Sequence, residues 1–230
     1  VVTNYHVVNE LVNLPERYRA ELVDGAEQVR AVEVVALDVV HDLAFAGDGG
    51  IFVLFTSHAA LRRAAVTLRS VLGERFPILV QGEGQRDHLL RRFRETGNAI
   101  LLGTDSFWEG VDVPGRALRS LVLAKLPFKV PAEPITAARL ERIAEQGEDG
   151  FSGYLLPHAA LKLKQGFGRL IRSAQDVGVV ILLDRRVVTK RYGMMLLEGL
   201  PPADRVIGPW SQVRSKCEDF FARHGIGAAP

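Results

Sequence analysis

The stretch IFVLFTSHAALRRAAVTLRSVL, residues 51–72, decides the fold of this chain. It opens with a short apolar run over 51–56, which is typical of a strand buried on both faces. Polar residues then offer helix caps, and a helical pattern runs to about residue 72. Strands and helices alternate in this way along the rest of the chain. The order predicts an α/β fold, with a mostly parallel sheet covered by helices on both faces.

The alternation continues to the C-terminus. In open parallel sheets, ligands bind beyond the carboxyl ends of the strands. Thr56 and Ser57 follow the first strand at such an end, and they predict a nucleic-acid phosphate contact, a plain helix cap, or both together. Apolar runs predict further strands over 77–81, 99–103, 118–125 and 177–183, and helical patterns cover 86–95, 134–145, 155–171, 187–197 and 211–223.

Residues 1–46 differ in character from the rest. Extended segments over 1–3, 18–23 and 29–37, with an Asp24-Gly25 turn between the last two, predict a β-hairpin. Residues 47–50, Gly-Asp-Gly-Gly, predict a flexible joint or a tight turn before a domain over 51–230. Because an isolated hairpin is marginal in water, we expect residues 1–46 either to dock on the sheet or to be poorly ordered. The chain starts without Met inside a strand-like run, so we expect a fragment.

The composition is that of an ordinary globular protein, with 47% hydrophobic and 24% charged residues among 230. One cysteine, Cys217, excludes an internal disulfide and a multi-cysteine iron–sulfur cluster within the chain. The six histidines show no ligand spacing, so we expect no metal site. Without a bilayer-length apolar run or a secretory signal, we expect a cytoplasmic protein with no membrane partner. The net charge of +2 alone does not indicate nucleic acid, although the basic residues are clustered.

The stretch QGFGRLIR, residues 165–172, carries the clearest chemical signal. Arg169 and Arg172 are three residues apart, so they share one helical face. Guanidinium groups stay charged and present planar forks of donors that fit phosphate oxygens. The spacing predicts a phosphate clamp, in which the second arginine reaches a transferring phosphoryl group. The alternative is a solvated basic helix end.

The loop GTDSFWEGVDVPG, residues 103–115, follows a predicted strand. Phe107 and Trp108 are costly to expose in a loop. The functional interpretation is that they stack on a nucleic-acid base or form a wall of the DNA channel. The alternative is that they fill the core beneath the loop, and for Phe107 the two interpretations have equal weight. Asp112 contacts a ribose hydroxyl, orders the neighbouring arginines or simply forms a turn.

Five ordered blocks resemble the second RecA-like motor domain of superfamily-two DNA helicases, and above all the DinG branch of the DinG/XPD group. The resemblance covers residues 51–230 and implies a RecA-like fold. The blocks are residues 51–61, 103–115, 126–131 (LPFKVP), 161–173 (LKLKQGFGRLIRS) and 176–186 (DVGVVILLDRR).

This resemblance assigns roles to individual residues. It implies that Arg172 is the arginine finger, with Arg169 as its phosphate-binding or structural companion. It implies ATP with Mg²⁺ as the nucleotide ligand, and single-stranded DNA and a first RecA-like domain as partners. The implied nucleotide contacts are Gln165, Gly168, Glu109, Gly110 and Asp112, and the implied DNA contacts are Thr56, Ser57, Ser106 and Trp108.

Such a helicase also needs a P-loop, G-x-x-x-x-G-K-[ST], and an acidic box such as D-E-A-H, and neither string occurs in this sequence. Both belong to the first motor domain. Because phosphoryl transfer depends on positioning and charge stabilisation, we expect no useful ATP turnover by this chain alone. The alternative is a catalytically inactive fusion or scaffold with a binding role.

The N-terminal segment resembles a different family. Residues 1–8, VVTNYHVV, resemble the histidine block of HtrA-type, trypsin-like serine proteases, and residues 39–45 resemble their aspartate block. That resemblance implies His6 as general base and Asp42 as its orienting carboxylate. No G-N-S-G-G-like serine loop follows, so we expect no acyl-transfer chemistry. A rival interpretation is that V-x-N-Y-H resembles a stretch before the acidic box of XPD-like first motor domains.

Overall fold

A computed structural model describes residues 4–8, 25–104, 107, 113, 117–170 and 176–227. Within these residues seven strands form one sheet, and every pairing between neighbours is parallel. The strands are β1 (Asn4–Val8), β2 (Ile51–Phe55), β3 (Ile78–Val80), β4 (Ile100–Thr104), β5 (Ser120–Leu123), β6 (Val179–Leu182) and β7 (Asp204–Gly208). Their order across the sheet is β3-β4-β2-β5-β6-β1-β7.

Helices cover the sheet on both faces. A π-helical turn, Phe151–Leu155, leads directly into the longest helix of the second half of the chain. The described helices are α1 (Gly25–Gly47), α2 (His58–Leu72), α3 (Arg86–Thr96), α4 (Pro134–Glu145), α5 (Leu156–Leu170), α6 (Arg186–Thr189), α7 (Arg191–Glu198) and α8 (Trp210–Arg223).

Two hydrophobic cores lie on opposite faces of this sheet. In β2, Ile51 and Val53 point into the core that also contains α1, α2 and α8, whereas Phe52 points into the core beneath α3, α5 and α7. Successive side chains of a strand therefore enter opposite cores. For this reason all residues of β2, β4, β5 and β6 are buried, and most of them are apolar. The predicted α/β fold, a RecA-like parallel sheet with helices on both faces, is confirmed.

The predicted strand over 29–37 is wrong, because these residues belong to helix α1. Its β-branched residues favour a strand locally, but apolar positions recur at helical spacing further along. Ala36, Val39, Val40 and Leu43 are all buried in one core. A helix replaces the hairpin there, and its buried face packs against the sheet. Docking was one of the two outcomes expected of this segment. The predicted extended segments over 1–3 and 18–23 lie outside the described residues.

Residues 48–50 form a tight turn, one of the two predicted alternatives for this stretch. Asp48, Gly49 and Gly50 all have positive φ, at 54°, 73° and 65°. A Cβ atom on Gly49 would lie 1.9 Å from the Asn98 carbonyl oxygen, so only glycine fits. The Arg119 guanidinium donates to the carbonyl oxygens of Asp48 and of Gly49, at 3.4 Å for the latter. The turn is thus held from the neighbouring strand.

The remaining described elements from residue 51 onward follow the predictions, with three differences, of which the π-helical turn Phe151–Leu155 is the first. The predicted helix over 187–197 divides into α6 and α7, because Lys190 has an extended backbone at φ −112° and ψ 141°. Gly193 allows the two pieces to pack, since a Cβ there would lie 2.1 Å from the Val187 carbonyl oxygen. Strand β7 was not predicted, because its residues are mostly exposed and lack an apolar run.

Candidate nucleotide and nucleic-acid site

The carboxyl ends of the parallel strands meet at one edge of the sheet, which we call the carboxyl edge. Strands β4, β2, β5 and β6 are consecutive neighbours there. Thr56 and Ser57 follow β2, Thr104 ends β4, and Asp184 follows β6. The topology therefore brings together three of the sequence blocks that carry polar residues.

Ser57 caps helix α2. Its Oγ accepts a hydrogen bond from the Ala60 backbone N–H at 3.2 Å, and its backbone is extended, as expected for an N-cap. Thr56 and Ser57 are both exposed. The cap alternative for Ser57 is confirmed, and the phosphate contact of both residues stays a prediction.

Gln81 joins the ends of β3 and β4, a role that the sequence did not indicate. Its Oε1 accepts from the Thr104 backbone N–H at 2.6 Å and from the Thr104 Oγ1 hydroxyl at 3.0 Å. Thr104 is buried. The pair fixes the point at which the chain leaves β4 for the loop of the second sequence block.

Phe107 in that loop is a core residue. It is buried, and its ring lies 6.5 Å from that of Phe52 in a T-shaped contact. The Arg86 guanidinium lies 5.4 Å from the ring centroid. A Cβ on Gly103 would approach the Phe107 Cβ to 2.9 Å, so this glycine makes room for the ring. The predicted site residues Ser106, Trp108, Glu109, Gly110 and Asp112 lie outside the described residues.

Asp184 organises the end of β6, and its role was also missed from the sequence. Its carboxylate accepts from the Leu126 backbone N–H at 2.9 Å and from the Arg186 side chain at 2.6 to 3.0 Å. Burial by itself would raise the pKa of this carboxyl, but hydrogen bonds from Arg186 and Leu126 outweigh that effect. The pKa of Asp184 therefore lies below its ordinary value. The carboxylate locks the β5 and β6 ends to one another.

Helix α5 contains Gln165, Gly168 and Arg169 of the sequence block that carries the proposed phosphate clamp. Leu163, Phe167 and Leu170 are buried beneath the sheet, while Gln165 and Gly168 are exposed on the other side of the helix. A Cβ on Gly168 would meet no atom within 4 Å among the described residues, so the helix surface is open there. The Arg169 side chain and Arg172 lie outside the described part of the structure.

The two residues of the protease interpretation have separate structural settings. His6 lies on β1, with Ile181 of β6 and Val206 of β7 as its neighbours in register. Asp42 lies in the C-terminal part of α1, where its Oδ2 accepts from Trp210 Nε1 at 2.9 Å and Arg214 Nη1 at 3.1 Å. Asp42 thus ties α1 to α8.

The described residues contain no group of three or more His, Cys, Asp or Glu side chains arranged to hold a metal ion. None of their helices is long and apolar enough to cross a membrane.

Comparisons with known proteins agree with this geometry. ATP-dependent DNA helicase YoaA of Escherichia coli strain K12 is 46% identical over 160 residues, which are 70% of this chain and 25% of that protein. The 3'-5' exonuclease DinG of Bacillus subtilis strain 168 is 42% identical over 154 residues, 66% of this chain and 16% of that protein. The chain thus spans a quarter or less of the length of these relatives, and their different activities belong to the whole proteins.

A solved structure of apo XPD has the same fold, with a TM-score of 0.62 at 17% identity over 90% of this chain and 40% of that one. The family model for the helicase C-terminal domain matches residues 40–203, which is most of the sequence. The chain therefore belongs to the helicase C-terminal domain family, as a C-terminal RecA-like domain of the DinG/XPD type.

Proposed function

We propose that this chain is the second motor domain of an ATP-dependent DNA helicase and works on single-stranded DNA together with a first RecA-like domain. The observation that carries the proposal is the exposed side of α5. Gln165 and Gly168 lie there on a helix whose opposite side is anchored in the core. Arg169 and Arg172 follow at helical spacing, so an open phosphate-binding surface is supported by a rigid element.

In this proposal Arg172 is the arginine finger. It stabilises the charge that develops on the γ-phosphate of ATP, and Arg169 holds the phosphate or the finger in place. Gln165 and Gly168 contact the nucleotide beside them. Gly168 suits this role because it lacks a side chain where the nucleotide or the facing domain approaches.

The loop after β4 connects this nucleotide side to the DNA side. Glu109, Gly110 and Asp112 act on the nucleotide, and Ser106 and Trp108 on the strand. Thr56 and Ser57, exposed at the end of β2, contact the DNA backbone through hydroxyl and amide groups. Gln81 fixes Thr104 at the end of β4, and Thr104 is the register partner of Phe55 at the end of β2.

ATP and Mg²⁺ bind only when a first motor domain closes on this surface. That domain supplies the P-loop and the acidic box, which hold the phosphates and the metal. Since phosphoryl transfer depends on positioning, the two domains hydrolyse ATP together and neither does so alone.

The test is ATP turnover in the presence of single-stranded DNA, for this chain alone and with a separately expressed first motor domain. We expect turnover only in the mixture.

Arg172→Ala should lower the ATP turnover of the mixture by a factor of about 10³ or more, the usual size of an arginine-finger effect. Arg62→Ala, which removes an exposed arginine of α2, is the matched control and should leave turnover unchanged. Substantial turnover by the chain alone would contradict the shared site, and an active Arg172→Ala mixture would remove Arg172 from the finger role.

A further inference from the structure

A second basic surface lies near the carboxyl edge, and none of its residues is among the nucleotide or DNA contacts proposed above. It consists of Lys129, Arg139, Tyr154 and His158, and we call it the Tyr154 surface. Lys129 belongs to the β5–α4 connection, Arg139 to α4, and Tyr154 to the π-helical turn before α5. Side chains from two other elements thus meet at the tyrosine of the π-helical turn.

The two cations are gathered around the Tyr154 ring. The Lys129 ammonium lies 5.8 Å and the Arg139 guanidinium 5.4 Å from the ring centroid. The His158 ring lies 6.2 Å from it. Arg139 is exposed, and Lys129 and Tyr154 are partly exposed. Cation–π attraction to the same ring holds both positive charges beside Tyr154 at the surface.

These positive charges are not neutralised within the described part of the chain. Neither Lys129 nor Arg139 forms an ion pair with a described residue. The nearby Asp149 carboxylate is engaged elsewhere, since it accepts from the backbone N–H groups of Phe151 at 3.1 Å and Ser152 at 3.0 Å. Two adjacent cations without a carboxylate partner favour an anionic ligand.

A packed aromatic cluster supports this surface. The Phe128 and Phe151 rings stack at 5.7 Å, and Tyr192 contacts both, at 5.7 Å and 5.1 Å. Arg186, whose partner is Asp184, lies 5.1 Å above Phe128. The cluster therefore joins the Tyr154 surface to the ends of β5 and β6. In addition, π-helical turns are rare and occur frequently at functional sites.

We infer that the Tyr154 surface binds backbone phosphates of single-stranded nucleic acid and extends the strand's path from the β2 end across β5 and β6. The inference rests on the proposed function, because it continues the same strand. The group that would be bound is a backbone phosphodiester. Two flexible cationic side chains from different elements can contact such groups along a strand without contacting the bases. Lys129 follows the carboxyl end of β5, and β5 is paired with β2, whose carboxyl end precedes the proposed DNA contacts Thr56 and Ser57.

The test is binding of fluorescent oligo-dT to the full chain, measured by anisotropy over a range of salt concentrations. The Lys129→Ala/Arg139→Ala variant should bind about tenfold more weakly at low salt. The slope of log K against log salt should fall in magnitude by about 1.4, as expected for two lost phosphate contacts on a single strand. The charge-preserving variant Lys129→Arg/Arg139→Lys should bind nearly as tightly as the original chain.

The matched control is Arg91→Ala/Arg92→Ala, which removes two exposed charges from α3. It should leave affinity and slope close to the original values. Equal weakening by both pairs would overturn the inference, because only net charge would matter. Unchanged binding by the Lys129/Arg139 variant would overturn it as well, while leaving the proposed function standing.

Two further outcomes separate the possible sources of phosphate. If excess ATP displaces oligo-dT from the original chain but not from the Lys129/Arg139 variant, the surface binds a nucleotide and the inference is wrong. If the original chain binds no oligo-dT even at low salt, the inference and the proposed DNA contacts of this chain both fall.

Discussion

At the scale of single residues, Asp184 does the most to hold the carboxyl edge together. One buried carboxylate joins the backbone after β5 to the start of α6 and pairs with Arg186. Arg186 in turn covers the Phe128 ring, so it connects the ion pair with Asp184 to the aromatic cluster. Removing one member of such a pair leaves the other without compensation.

Asp184→Asn should therefore lower the free energy of unfolding by about 2 kcal/mol at neutral pH, a cost typical of hydrogen bonds to a charged group, because Asp184 is buried but Arg186 is partly exposed. The folded pKa of Asp184 lies below its ordinary value, so its stabilisation is present above the unfolded pKa, about 3.9, and is lost as pH falls through the folded pKa. Urea unfolding at several pH values should show the difference between the two proteins shrinking below about pH 4.

Asp204→Asn is the control for this experiment, because Asp204 is exposed on β7. It should change the unfolding free energy by less than about 0.5 kcal/mol. A difference for Asp184→Asn that stays constant down to acid pH would contradict the role given to its charge.

At the scale of elements, the junction between α1 and β2 depends on the turn over residues 48–50. Three consecutive positive φ values reverse the chain within three residues, and Arg119 holds their carbonyl groups from the start of β5. The Arg119 guanidinium also donates to the Gly97 carbonyl at 2.8 Å. The turn is thus a rigid corner between a helix and a strand of the same core.

Gly49→Ala should destabilise the chain through two effects. Alanine is strained at φ +73°, at a cost of about 1–2 kcal/mol, and its Cβ would meet the Asn98 carbonyl oxygen at 1.9 Å. Gly147→Ala is the matched control, because Gly147 has φ +77° but open space around a Cβ. We expect urea unfolding to show at least twice the loss for Gly49→Ala. Equal losses would mean that the backbone relieves the clash without cost.

At the scale of the whole molecule, the sheet separates two cores, and α1 belongs to one of them. Val39, Val40 and Leu43 are buried beside α2 and α8, and Asp42 accepts hydrogen bonds from Trp210 and Arg214 across the same interface. The helix closes the face of the sheet opposite to α5. Because α1 and α5 pack on opposite faces of the sheet, α1 supports the surface of the proposed phosphate clamp indirectly, by stabilising the sheet.

A shortened chain beginning at residue 48 should lose at least about 5 kcal/mol of stability, because three buried aliphatic side chains contribute about 1.5–3 kcal/mol each. That loss is comparable to the whole stability of a typical domain. A chain beginning at Gly25 keeps α1 and serves as the control. Urea unfolding followed by circular dichroism compares the two, and equal midpoints would show that α1 adds nothing to the core.

The sequence predicted the elements from residue 51 onward well, because their apolar runs are short, uniform and bounded by turn residues. It failed for α1, where the β-branched residues over 29–37 mimic a strand. Burial against α8, which lies far away along the chain, favours the helix instead. It also left Phe107 undecided between the core and a base, because a local pattern does not show what lies beneath a loop.

By itself, the sequence determined the fold class, the order of most elements from residue 51 onward and the residue types of the proposed phosphate clamp, because periodic burial and motif spacing are local properties. Only the tertiary structure decided which strands are neighbours, and so that Gln81 supports Thr104 and that Asp184 supports Leu126. It also decided that Lys129 and Arg139 meet at Tyr154. Such contacts join segments that are distant along the chain, so they form and stabilise the protein only once the strands have assembled in their order across the sheet.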